Sequence, residues 1–241
     1  MDSQFLLIHS CCSLRDENED KKIELLSFHL DRTFSLLQLQ SAYDSNSFND
    51  LIYGISNEVR ECDIKDIPAI FDKAIMAEIG KQRNTDATSV FSYTYFKNSC
   101  INRNTRFKRY FFARVDQFLA DNMNMKMRQN IEDLVTKTGA KSGFHIEHIL
   151  SYNDENLALF GDDEDTFEQE RNRLGGILLL KGKDNISSSN ESFKEKLGSY
   201  ANTLYWNETL RRDTYKSKLD FSDLMKKYKL SFRAMDQFGP E

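Results

Sequence analysis

Two histidines flank a carboxylate in Phe144-His145-Ile146-Glu147-His148-Ile149-Leu150. A neutral imidazole accepts a proton from water near pH 7, and a neighbouring carboxylate suits a hard divalent cation. Hydrolysis by an activated water is the chemistry these residue types could support. Taken alone, such a pair is more often a packed histidine beside a solvated carboxylate. A zinc peptidase is excluded, because its helical motifs set two histidines four positions apart, whereas His145 and His148 follow H-x-E-H spacing.

The downstream run is more specific. Residues 170–185 read Glu-Arg-Asn-Arg-Leu-Gly-Gly-Ile-Leu-Leu-Leu-Lys-Gly-Lys-Asp-Asn, and Ser189-Asn190-Glu191-Ser192-Phe193-Lys194-Glu195-Lys196 follows. Together with the histidine segment, this run resembles the C-terminal nuclease domain of GmrSD-type, modification-dependent (Type IV) restriction endonucleases. These are a branch of the HNH, or His-Me finger, superfamily. The resemblance spans about residues 140 to 205, and Arg106 to Leu119 resembles the helical segment that precedes this domain more loosely.

The resemblance implies a metal-dependent DNA endonuclease. The family's acidic residue and catalytic histidine fall on Glu147 and His148, and the asparagine that contributes to the metal site falls on Asn185. One Mg2+ or Mn2+ held by Glu147 and Asn185 is the implied cofactor, with His148 deprotonating the attacking water. The motif L-G-N-L-T-L-L falls on Leu174 to Leu180, with Gly176 standing in place of its asparagine and Ser151 in place of a proline after the histidine segment. That asparagine braces the loop carrying the histidine, and Asn172 is the candidate substitute. Asn190 and Lys196 match further polar positions and are assigned supporting roles. His145 shares a strand face with Glu147, which makes it either a metal ligand or a partly buried structural histidine. Consecutive strand residues point to opposite faces, so for Glu147 and His148 to reach one phosphate the strand must end or bulge there.

The elements that must position these residues can be read from hydrophobic spacing. Helical periodicity runs through Ile23, Leu26, Leu30, Phe34 and Leu37, and again through Phe48, Leu51, Ile52, Ile55 and Val59. It recurs at Ile67, Ile70, Phe71, Ala74, Ile75 and Ile79, and at Phe107, Phe111, Val115, Phe118 and Leu119. The small polar stretch from Thr138 to Gly143 breaks the pattern and sets a boundary there. Residues 1–137 are then a helical domain, and 138–241 a small ββα-metal nuclease domain with a C-terminal helical extension. Within the second, strands are expected over Phe144–Leu150 and Ile177–Leu180, with an acidic loop from Asn153 to Glu170 between them. A helix should start near Asn190, with Ser188 and Glu191 at capping-box spacing and Phe193, Leu197, Tyr200 and Leu204 as its apolar series. Trp206, Tyr205 and Tyr215 read as core. The fold class is α+β, mostly α.

A net charge of -5 argues against bulk electrostatic coating of nucleic acid, so any DNA contact is local. The strongest basic segment carries Lys97, Arg103, Arg106, Lys108, Arg109, Arg114, Lys126 and Arg128 against Asp116 and Asp121. Arg103, Arg106, Lys108 and Arg109 are the candidate phosphate contacts, a solvated helix face being the alternative. The acidic segment 153–170 would repel DNA and lies away from its path. Cys11, Cys12, Cys62 and Cys100 form no C-x-x-C pair, and no apolar run reaches membrane length, so a cytoplasmic protein without a membrane partner is expected. No phosphate-binding glycine loop is present, although the resemblance implies a nucleotide-hydrolysing partner subunit or domain. The competing reading, motivated by Gly176, is a catalytically inactive subunit that binds DNA or that partner.

Overall fold

The structure is a computed structural model, and it describes residues 3–60, 62–99, 104–184, 191–217 and 219–240. The chain folds as two compact units, 1–103 and 104–241.

The first unit is helical. Helices α1 (Ser3–Cys11), α2 (Glu19–Leu39), α3 (Ser45–Glu58), α4 (Ile67–Arg83) and α5 (Tyr93–Asn98) follow one another. The spacing that predicted α2, α3 and α4 is the spacing that buries them. Leu26, Ile52, Ile55, Val59, Ile67 and Phe71 form one core with Leu7 and Cys11 from α1, and Leu37, Ala42, Ile75 and Ile79 form another. Asp44 caps α3 by accepting from the backbone N–H groups of Asn46 and Ser47. The described cysteines Cys11, Cys12 and Cys62 are free thiols. No described helix is long and apolar enough to cross a membrane.

The second unit begins with α6 (Thr105–Asn122) and α7 (Ile131–Thr136), capped by Asn104 and Asn130. Strand β1 (Phe144–His148) pairs antiparallel with β2 (Ile177–Lys181), from Phe144 opposite Lys181 to His148 opposite Ile177. Between the strands lie α8 (Asp154–Ala158) and α9 (Glu164–Arg171). After β2 come α10 (Phe193–Ser199), α11 (Tyr205–Glu208), α12 (Arg212–Ser217) and α13 (Leu219–Tyr228). One face of the two strands, with Leu178 and Leu180, packs under α10 through Tyr200, Phe193 and Leu197. Helices α6 and α7 also lie against β1. A further core joins Leu119 and Ala120 of α6, and Met123 that caps it, to Tyr205 of α11 and to Phe221 and Leu224 of α13. Burial of Tyr200 and Tyr205 follows the sequence expectation.

Several expectations are corrected. The compact units divide at 103/104 rather than 137/138, because α6 packs on α7, β1 and α11 and belongs with the strands. Strand β1 stops at His148, two residues early, and β2 runs one residue further, to Lys181. The segment 153–170 is not an open acidic loop. Asn153 and Asp163 cap two short helices, and Asp154, Glu155, Glu164 and Asp165 sit in the first turns, where the dipole favours negative charge. Buried Phe167 anchors the second of these helices. The capping box that starts α10 is Ser192 with Glu195, four residues beyond the Ser188 pairing, and Ser188 itself lies outside the described residues.

Candidate active site

His148 ends β1 with its side chain half-buried. Its Nε2 stands 3.0 Å from Oδ1 of Asn172, the residue that closes α9. Hydrogen positions follow from the rest of the network. The Asn172 carboxamide nitrogen donates to the backbone oxygen of Glu168 at 2.7 Å and to its carboxylate at 2.9 Å. Both donor hydrogens are therefore occupied, and Oδ1 is the atom turned to the imidazole. Oδ1 only accepts, so Nε2 carries the ring proton and Nδ1 keeps a lone pair.

The charge state agrees with that arrangement. Burial pushes the His148 pKa below its ordinary 6.5, the Arg171 guanidinium adds to the effect, and the Asn172 hydrogen bond and Glu168 oppose it. A pKa below 6.5 leaves His148 neutral at pH 7. Arg171 is fixed in place, donating to the Leu150 carbonyl at 3.0 Å and pairing with Glu168 at 3.0 Å. Glu168 thus holds both Asn172 and Arg171. Neither Glu168 nor Arg171 was singled out from sequence. Glu168 and Asn172 are four apart, a helical spacing that would have been visible had 164–171 been read as a helix.

Glu147 lies on the other face of the strand. It is only 4% exposed, and its carboxylate takes a 2.6 Å hydrogen bond from Lys196, which is 1% exposed. The same ammonium donates to the His148 carbonyl at 2.7 Å. Burial raises the Glu147 pKa, and the Lys196 charge pulls it back. Strand β1 ends at His148, as expected, but it does not bulge, and its register with β2 is continuous through both residues. Lys196, expected only to support the site, is thus the cation that neutralises Glu147.

The remaining candidates separate. His145 turns its Nε2 to the Gly139 carbonyl, at 3.3 Å. Arg106 is exposed, and Lys108 lies close enough for its charge to act on His148. Arg109, expected among the DNA contacts, is 3% exposed and donates to the backbone oxygens of Leu134 and Lys137, so it ties α6 to α7. Arg103, Asn185 and Asn190 lie outside the described residues.

A divalent metal beside His148 would need oxygen donors on the same face of the strand. Glu147, bound to Lys196 on the opposite face, does not fit as a ligand there. Among the described residues no three His, Cys, Asp or Glu side chains gather into a metal-holding group.

The family described as GmrSD restriction endonucleases, C-terminal domain, matches residues 91–229, more than half of the chain. No curated protein and no solved structure matched the chain.

Proposed function

The chain belongs to the family of the GmrSD restriction endonucleases, C-terminal domain, and from that membership we propose that it is an HNH-type endonuclease that hydrolyses DNA phosphodiester bonds. The observation that supports this reading best is the state of His148: neutral, anchored at Nε2 by Asn172, and left with a basic Nδ1. In the reaction proposed, Nδ1 takes the proton of a water attacking phosphorus, and negative charge grows on the phosphate oxygens and the departing 3′ oxygen. Fixed cations near that charge lower the barrier, and Arg171 and Lys108 are the described cations whose charge reaches His148. Exposed Arg106 would hold the DNA backbone. The resemblance further suggests a role in defence against foreign or modified DNA, together with a nucleotide-hydrolysing partner.

A single Mg2+ or Mn2+ is the cofactor expected for such an enzyme and would supply charge stabilisation at the phosphate. Glu147, held by Lys196, does not fit as its ligand. The deciding experiment is plasmid cleavage by the intact chain with Mg2+, with Mn2+ and with chelator, with and without a candidate nucleotide-hydrolysing partner. Nicking that disappears in His148→Ala supports the proposal, whereas equal nicking by that variant sinks it. The paired state of Glu147 favours a second reading, a non-catalytic subunit that binds DNA or its partner. That reading predicts DNA binding without cutting in every arm.

A further inference from the structure

Glycine at 176 has a steric cause. A Cβ placed there would lie 2.6 Å from the Arg171 carbonyl oxygen and 2.8 Å from that of Glu170, closer than real Cβ atoms approach backbone. Residue 176 cannot retreat, because its carbonyl accepts from the Ile149 N–H at 2.9 Å and its N–H donates to the Arg173 carbonyl at 2.8 Å. The last turn of α9 therefore occupies the space that an asparagine at 176 would need. That same turn ends in Asn172, whose N–H caps the helix on the Glu168 carbonyl at 3.2 Å and whose carboxamide reaches His148.

We infer that Asn172, oriented by Glu168, is the positioning residue that holds the His148 ring and fixes its tautomer, and that Gly176 is the steric condition for bringing it there. The brace has moved from the start of β2 to the end of α9. Its catalytic consequence rests on the nuclease reading, whereas its structural consequence does not. With Asn172 in place, Nδ1 stays unprotonated and available. Without it, the neutral ring has no fixed acceptor at Nε2, and the proton distributes over both nitrogens.

Two readouts test this on the full chain. The first is nitrogen NMR of histidine-labelled protein, with the His148 signals identified by their loss in His148→Gln. The wild type should show Nε2 protonated and Nδ1 bare, Asn172→Ala should show a mixture, and Asn172→Asp, which sets a carboxylate beside the ring and cannot donate to Glu168, should raise the pH at which the ring takes its second proton. The second is cleavage. Asn172→Ala should lower kcat about 100-fold with KM unchanged, the cost expected for a misplaced catalytic group. Gly176→Asn, which restores the residue the family motif carries, should impair cleavage by driving α9 away. An unchanged tautomer in Asn172→Ala overturns the inference, and so does a Gly176→Asn variant that cuts as well as the wild type. If Gly176→Asn does not fold, the two Asn172 variants decide alone. If no protein cuts DNA, wild type included, the nuclease proposal fails, and the NMR comparison still decides this one.

Discussion

Replacing Lys196 with methionine keeps the length and apolar stem of the side chain and removes only the ammonium. Glu147, 4% exposed, then has no cation at 2.6 Å. A buried carboxylate escapes that penalty by taking a proton, so the charge part of the cost is capped by the free energy of protonating it at the working pH. With an ordinary pKa of 4.5 and about 1.36 kcal/mol per pH unit, the cap is about 3.4 kcal/mol at pH 7. The lost hydrogen bond to the His148 carbonyl adds about 1.5–3 kcal/mol. The sum, about 5–6 kcal/mol, is comparable to measured losses from breaking buried pairs. The charge part also depends on pH. In Lys196→Met the folded-state pKa of Glu147 is raised further, and a raised folded pKa gives stability that is present below the unfolded value and lost as pH rises through the folded one. At pH 5 the cap shrinks to about 0.7 kcal/mol. The assay is urea unfolding, comparing Lys196→Met with Glu147→Gln/Lys196→Met, since the amide removes the titrating group and leaves all else equal. The double variant should be the more stable at pH 7, with the gap narrowing by about 2.7 kcal/mol at pH 5. A gap that does not change with pH would refute the reasoning, because Glu147 would then not be a buried charge held by Lys196.

Asp116, fully buried, has its pKa pushed up to about 6 by burial, although it accepts from the Trp206 N–H at 2.9 Å. Its folded pKa lies above the ordinary 3.8, so the cost of the carboxylate builds as pH rises from 3.8 and is complete above about 6. Asp116→Asn should therefore stabilise the chain at pH 7 by up to about 3 kcal/mol, a gain that vanishes near pH 4 in the same unfolding assay. Arg109→Met should lower the melting temperature without a specific loss of DNA affinity, whereas Arg106→Ala should weaken binding and flatten its salt dependence at unchanged stability. The acid limb of cleavage should fall below pH 6.5, the ordinary histidine value, because His148 stays neutral further into acid. A limb above that value would show that another group controls the rate.

Helices α2, α3 and α4 were legible in the sequence because each buries an apolar stripe of regular period, and period is what a sequence displays; α6 was legible as a helix, but its buried face runs through Arg109, Phe112, Asp116 and Ala120, and Phe118 of the series read from sequence is exposed. The strands were legible because β2 is a continuous run of buried aliphatics. Helices α8 and α9 were not. They are short and acidic, and depend on the caps of Asn153 and Asp163 and on the burial of Phe167, not on a stripe. That miss hid the Glu168–Asn172 pair, though His148 and Asn172 were singled out separately. Lys196 was noticed by its place in a motif, but its role was not. An ion pair between residues 49 positions apart leaves no local signature.

That separation also sets an order of events during synthesis. The strand that carries His148 leaves the ribosome well before its buried counter-ion, and at about 5–20 residues per second the gap of 49 positions lasts about 2–10 s. Until α10 emerges, Glu147 has no ammonium to meet, and the strand beside it has no reason to close under that helix. A ribosome that stalls between residues 172 and 196 thus releases a chain with every histidine present and Glu147 without its counter-ion.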